Sequence, residues 1–354
     1  MNNAVQGKPS TNARTNNDFI APWIHPKWAL MPILLVSFAI NLSSWDAQGS
    51  EPSEKQVARQ PSLPDAKDEV VRGLGLGSAP RKDQAVEITI ASYNVQCRPR
   101  IDDAAEKLPK ISPLLNRFDV VLIQECFHGH ALLWSRATFP NKVYFGRPAK
   151  NRVTNSGLSI LTRLPMGEAE MEHFRSVGEF QNRLASKGIL LVRTSVAGIP
   201  LDVYDTHMEA GHSQAAQRAR LDQARHMVEF VAKHSPAGHA VIVMGDFNMG
   251  PRRAGKNWKE HTPCHYNSEE DFVHRTAAYQ VMFDGLKAKD ASDVLHGPTD
   301  DGIERLLFRE GTLCKMEPLS CGFDGETFRR ENGTSLSDGS PLIVRLRISP
   351  IKKN

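Results

Sequence analysis

Cysteine is scarce in this sequence. The 354 residues hold five, and none stands at metal-ligand spacing, so a thiolate-held zinc site has no support. Excess charge is scarce too. The net charge is +4, and residues 1–42 supply +2 of it through Lys8, Arg14 and Lys27 against Asp18. The remaining +2 is too little to argue nucleic-acid binding from electrostatics, and no stretch interleaves basic and aromatic residues. Long apolar runs are missing: the charge-free segment Trp28–Ile40 has thirteen residues, where a membrane-spanning helix needs about 20. No internal repeat is visible. His128, His130, His173, His212, His226, His234, His239, His261, His265 and His274 show no HExxH or related spacing and read as surface residues. Gly73-Leu-Gly-Leu-Gly77 is not a nucleotide loop, since no strand precedes it and no helix follows.

What is present falls into three parts. Residues 1–27 are polar and basic and lead into the apolar core 28–40, the layout of an export signal. No clean A-x-A cleavage site follows, so an uncleaved anchor formed by residues 28–42, basic side cytoplasmic, is the other reading. The expected location is periplasmic or secreted, or membrane-anchored. Residues 43–85, rich in Ser, Pro, Gly and Gln, read as a flexible linker. Residues 86–349 read as one folded domain. Within it, Cys314 and Cys321 are spaced to pair across a short loop in an oxidising compartment, Cys97 and Cys126 are candidate neighbours, and Cys264 is left over.

The domain alternates strands and helices. Strands are expected at Val86–Asn94, Asp119–Glu125, Leu158–Thr162, Gly188–Arg193, Leu201–Asp205, Val241–Met244, Ile303–Phe308 and Leu342–Ile348. Helices are expected at Ala104–Asn116 and Ser213–Lys233, and residues 251–300 read as loop with a helical piece. The run Val241-Ile-Val-Met244 is buried strand, stopped by Gly245 and followed by Asp246, Asn248, Gly250 and Pro251. Asp and Asn are ordinary turn formers, but a strand exit is also where α/β sheets place ligands.

The same layout recurs. Asn94, Glu125, His207, Asp246 with Asn248, and Asp338 each lie at or near a strand end. Carboxylate and carboxamide oxygens are hard ligands suited to Mg²⁺ or Ca²⁺. Glu125 is the natural metal ligand, Asp246 can orient or deprotonate water, and His207 and Asn248 can donate to a phosphoryl oxygen. Those are the parts metal-assisted phosphodiester hydrolysis requires.

These boxes resemble the endonuclease/exonuclease/phosphatase superfamily, which includes deoxyribonuclease I-like enzymes and neutral sphingomyelinases. The resemblance runs from about residue 88 to residue 348. It rests on Ser92-Tyr-Asn94, Gln124-Glu125, Asn155-Ser-Gly-Leu158, Thr206-His207, Gly245-Asp-Phe-Asn248 and Ser337-Asp338. It is strongest toward neutral sphingomyelinases, whose Asp-x-Leu-x-x-Lys-Gly box resembles the segment ending Leu184-Ala-Ser-Lys-Gly188. Their Thr-His-Leu-Gln segment and the helix after it resemble Thr206–Ala210 followed by Arg220 and Gln223. The resemblance implies a two-sheet, four-layer α/β sandwich. It implies hydrolysis of a phospholipid headgroup phosphodiester, with Mg²⁺ (or Mn²⁺ or Ca²⁺) on Glu125 and Asn94 and with Lys187 and Asn155 toward the substrate. Arg220 and Gln223 read equally as solvent-facing or as substrate contacts.

Three positions depart from the family's pattern. Its last box is Ser-Asp-His, the His being the general base, and here Gly339 follows Ser337-Asp338. An Asp of the Lys187 box is Asn182, and an Ile-Asp box reads Ile303-Glu304. His207 is the motif histidine able to compensate, with Asp338 supporting it; His296 lies outside every box. Two rivals follow: a nuclease of the same superfamily, and a pseudoenzyme that binds a phospholipid, a membrane surface or a partner without turnover.

Overall fold

The computed structural model describes residues 84–179, 184–261, 266–298 and 302–351. The expected export signal or anchor, the linker up to residue 83, Asn182, Cys264 and His265 lie outside the described residues. The strands are β1 (Val86–Cys97), β2 (Val120–Cys126), β3 (Asn141–Tyr144), β4 (Ser159–Thr162), β5 (Met166–His173) and β6 (Gly188–Val196), then β7 (Ile199–His207), β8 (Ala240–Asp246), β9 (Lys289–Asp290), β10 (Glu304–Arg309), β11 (Cys314–Phe323) and β12 (Leu342–Pro350). The helices are α1 (Ala104–Leu114), α2 (His130–Trp134), α3 (Gln214–His234), α4 (Glu269–Leu286) and α5 (Ala291–His296).

Two sheets form, in the orders β11-β12-β1-β2-β4-β3 and β5-β6-β7-β8-β10-β9. Apolar side chains face both ways along the central strands, which is why those strands read as continuous apolar runs. Ile88, Leu122, Leu190, Val203, Ile242 and Leu346 fill the space between the sheets. On the outer face of the first sheet, Leu108, Ile111 and Leu133 of α1 and α2 cover Val121 and Ile123. On the outer face of the second, Met227 and Phe230 of α3 and Met282 of α4 cover Val241 and Val243. The result is the expected four-layer sandwich, helix on sheet on sheet on helix. Caps start the helices where the sequence provides them: Asp103 accepts from Glu106 N, Ser213 from Ala216 N and Ser268 from Asp271 N.

The structure corrects several expectations. Cys314 and Cys321 are not joined by a loop; both lie on β11, and seven residues of extended strand hold them apart by about 20 Å or more, so they do not pair with each other. Cys97 and Cys126 are in-register neighbours on β1 and β2, as free thiols. His226 and His261 are buried rather than superficial. In place of one helical piece, residues 251–300 hold two helices, the 18-residue α4 and the six-residue α5. Among the described residues no helix is long and apolar enough to cross a membrane.

Candidate active site

β1 and β2 run parallel, as do β7 and β8, so each pair releases its last residues at one end of its sheet. β10 is antiparallel to β8 and starts at that end, with Glu304 opposite Asp246. The loop before β12 is tied to the same rim, where Ser337 Oγ donates to Asn94 O at 2.7 Å. The chain is bent locally to aim these residues. A bulge interrupts the β1–β2 ladder between Asn94 and Cys97, and Gln96, Glu125 and Asn248 take φ of 48°, 56° and 51°. Left-handed backbone at non-glycine residues is unfavourable by about 1 kcal/mol or more and gathers at functional sites. Glycine permits two close approaches. A Cβ on Gly245 (φ 148°) would stand 2.1 Å from Thr206 O, and one on Gly157 3.0 Å from Glu125 Cα.

Asn94 is the hub. Its Nδ2 donates to Glu125 Oε1 at 3.1 Å and to Asp246 Oδ2 at 3.4 Å, linking the two sheets. Asp246 Oδ1 accepts from Asn248 N at 3.0 Å, and Asn248 Nδ2 donates to Met208 O at 3.1 Å. His207 Nε2 lies 3.9 Å from Glu125 Oε1 and 3.7 Å from Asp246 Oδ2. The same nitrogen lies 3.1 Å from Lys187 Nζ, which also donates to Met208 O at 2.6 Å. Lys187 is therefore the donor at this point, and His207 accepts from it, whereas the sequence reading made His207 a phosphoryl donor. Its Nδ1 is buried with no partner among the described residues.

The electrostatics follow from burial. Burial raises the pKa of Glu125, against the Asn94 hydrogen bond and Lys187. Burial raises Asp246, with Lys187 opposing. Burial pushes Glu304 well up, and the charges of Asp246 and Asp338 add to it. His207 is held well below the usual histidine range by burial and then by Lys187, so it is neutral. Several carboxyls thus share the Lys187 ammonium, and Glu304 Oε2 is buried with no partner among the described residues. That surplus of hard acceptors suits a divalent cation, with Glu125 and the oxygen of the Asn94 carboxamide the groups to hold it, although that oxygen here accepts from Gln96 N at 3.0 Å and the amide nitrogen faces the carboxylates. The carboxylates flank Asn94 rather than close on one point, and among the described residues no set of three His, Cys, Asp or Glu forms a ready cage. Mg²⁺ fits such an open site, since it keeps several waters and takes one or two carboxylates.

The other residues singled out in the sequence fall into place as follows. Asn155 braces a loop: its Nδ2 donates to Phe127 O at 3.1 Å and its Oδ1 accepts from Gly157 N at 2.9 Å. Asp338 is exposed; it accepts from Gln96 Nε2 at 2.7 Å and Ser337 Oγ at 3.3 Å, so it supports Gln96 rather than His207. His296 Nε2 bonds Cys321 O on β11. Arg220 and Gln223 are neither solvent-facing nor open to substrate. They are 0% and 1% exposed and clamp the loop after His207, Arg220 Nε donating to Glu209 O and Gln223 Oε1 accepting from Glu209 N, both at 2.8 Å. Two residues went unread. Asp205, wholly buried, accepts from Gln124 Nε2 across the sheets at 2.7 Å; its signal was a carboxylate inside an apolar strand. Glu304 passed as a mild change, although an acid opening an apolar strand is the same signal. A cleft of about 280 Å³ adjoins the rim at Gln96, Lys107, Arg330 and Asp338. A larger hollow of about 570 Å³, lined by Arg152, Arg175, Arg218 and Asp222, includes none of the site residues.

Similar proteins share both sequence and fold. Sphingomyelin phosphodiesterase 2 of Rattus norvegicus is 24% identical over 44% of this chain and 40% of its own length. Sphingomyelinase of Mycobacterium bovis is 22% identical over 76% and 54%. The chain thus spans about half the length of these curated relatives. Among solved structures, TDP2 of D. rerio complexed with single-strand DNA product superposes with a TM-score of 0.55 at 18% identity, covering 73% of this chain and 98% of that one. Beta toxin of Staphylococcus aureus with bound magnesium ions superposes with 0.51 at 15% identity, covering 73% and 99%. Residues 91–308, from β1 to β10 and more than half of the chain, match the profile of one family. With the sandwich and its rim of Asn94, Glu125, Asp246 and Asn248, that match places the chain in the Endonuclease/Exonuclease/phosphatase family.

Proposed function

We propose that the chain is a divalent-cation-dependent phosphodiesterase that hydrolyses a phospholipid headgroup ester of the sphingomyelin kind. The observation that carries this is the meeting, around Asn94, of Glu125 from one sheet with Asp246, His207 and Lys187 from the other. The sphingomyelinase names of the similar proteins support the choice of substrate. Glu125 and Asn94 would hold Mg²⁺, which when bound offsets charge developing on the phosphoryl oxygens. Asp246, fixed by Asn248 N–H, directs the attacking water and takes its proton. Lys187 Nζ and the second Asn248 Nδ2 hydrogen are the donors available to a phosphoryl oxygen. We further propose export, on the basic flank and short apolar core of residues 1–40; cell fractionation tests it, and cytoplasmic recovery of the full chain rejects it.

The deciding assay compares phosphocholine release from sphingomyelin with nicking of plasmid DNA, both with Mg²⁺. Lipid hydrolysis that Asp246→Ala lowers by about 10² to 10⁴ is expected. Nicking without lipid hydrolysis makes the chain a nuclease. Gly339 favours one second reading, a non-hydrolysing phospholipid binder; it prevails if no phosphodiester is cut with Mg²⁺, Mn²⁺ or Ca²⁺ and Gly339→His alone creates turnover.

A further inference from the structure

Gly339 leaves the site without a side chain where the rim closes, and what stands beside it is Glu304. A Cβ placed on Gly339 would meet Glu304 Oε1 at 3.7 Å, an ordinary contact, and nothing nearer. The carboxyl therefore borders the space that a longer residue at 339 would enter. Glu304 comes from the strand next to Asp246 and is its in-register partner across an antiparallel ladder, so both side chains leave the same face, their Cβ atoms about 5 Å apart. Glu304 is half-buried overall, but its Oε2 is shielded from solvent and has no hydrogen-bond partner among the described residues. A buried carboxyl oxygen without a partner is unfavourable by about 1–3 kcal/mol, and such groups in native sites call for a role.

We propose that Glu304 is a catalytic residue of the phosphodiesterase reaction, the proton donor to the leaving oxygen. The inference rests on the phosphodiesterase reading and deepens it. In the step, the water oxygen bonds to phosphorus as its proton passes to the Asp246 carboxylate. The bond from phosphorus to the lipid oxygen breaks, its electron pair staying on that oxygen, and the Glu304 carboxyl proton goes to it. Asp246 then holds a proton taken from water while Glu304 lacks the one it gave, and exchange with solvent restores both, so the balance is one water and one diester consumed, one alcohol and one phosphate monoester released. Asp246 and Asp338 face Glu304 with negative charge, and the Tyr93 hydroxyl of β1 lies within its field. Among the described residues no cationic group is named among the charges acting on Glu304, and burial and the two carboxylates keep it in the neutral, proton-bearing form.

The test uses two substrates that differ in leaving group. The lipid of sphingomyelin departs as an alkoxide that needs a proton; the nitrophenyl group of p-nitrophenyl phosphorylcholine departs as a stable phenolate that does not. Glu304→Gln keeps size and polarity and is measured with Mg²⁺, with its melting temperature as the check on folding. Expected is a fall of about 10² to 10³ in kcat on sphingomyelin and less than about fivefold on the nitrophenyl substrate. An equal fall on both, or none on sphingomyelin, overturns the proposal and leaves the phosphodiesterase reading standing. If the wild type cuts neither substrate, that reading fails and the proposal with it. The wild type gives a second measurement that needs no variant. Its kcat on sphingomyelin is expected to decline at alkaline pH through an ionisation missing from the nitrophenyl profile, and identical profiles count against Glu304.

Discussion

At the scale of single residues, protonation is set by burial, and one consequence lies away from the site. His130 packs against Tyr144, ring centroids 4.4 Å apart and planes tilted by 33°. Burial first, and then the neighbouring His128, lower its pKa from 6.5 to about 4. A histidine held neutral by folding contributes stability above its unfolded pKa and loses it as pH falls toward the folded one. The contribution of His130 to thermal stability is therefore expected to shrink between pH 6.5 and 4, read as the difference between the wild type and His130→Phe across that range; parallel melting curves for the two proteins would contradict it. The sequence showed which residues gather at the rim, because each ended an apolar run. It did not show who donates to whom. Lys187 and His207 sit 20 positions apart, and only the packing of β6 against β7 reveals that the ammonium occupies the imidazole's Nε2. Arg220 and Gln223 were ambiguous because helix spacing gives the side a residue faces, and polar residues on the buried side of α3 look like surface ones.

At the scale of elements, the β7–β8 ladder is the critical fit. Gly245 faces Thr206, and the next pair is Asp246 with His207. Gly245→Ala sets a methyl against Thr206 O, at 2.1 Å before relaxation. It is expected to cost about 2–4 kcal/mol of stability and to lower activity more than tenfold, read by denaturant unfolding and the sphingomyelin assay. A variant as stable and active as the wild type would show that the two strands can separate there freely. The central strands were legible and the edges were not: β3, β5, β9 and β11 are the outermost strands of the two sheets. Met166-Gly-Glu-Ala-Glu-Met-Glu-His173 is half-exposed along most of its length, and charge on an edge strand, which blunts pairing with other chains, also erases the alternation that would identify it.

At the scale of the molecule, the site is shared by two sheets and carries more acid than base. The carboxyls at Glu125 and Asp246 are shifted up by burial. By linkage the metal-free protein loses stability as pH rises above their ordinary values near 4.5 and 3.8. A divalent cation is expected to offset that loss, raising the melting temperature by roughly 5–10 °C at a hundred-fold excess over Kd. The gain should grow with pH, reverse on chelation and shrink in Glu125→Gln; no shift with Mg²⁺, Mn²⁺ or Ca²⁺ would reject cation binding at this rim.

The bond from Gln124 to Asp205 crosses the interior just beneath Asn94 and His207, with Ser92 Oγ accepting from the same Gln124 amide at 3.1 Å. It works as a dowel between two plates. Each sheet brings half of the site, so a slip of one over the other by a fraction of an ångström separates Glu125 from Asp246 while both cores stay filled. Fitness in this chain should thus be sensitive to alignment as well as to folding, and variants of Gln124 or Asp205 are expected to lose activity beyond what their loss of stability explains.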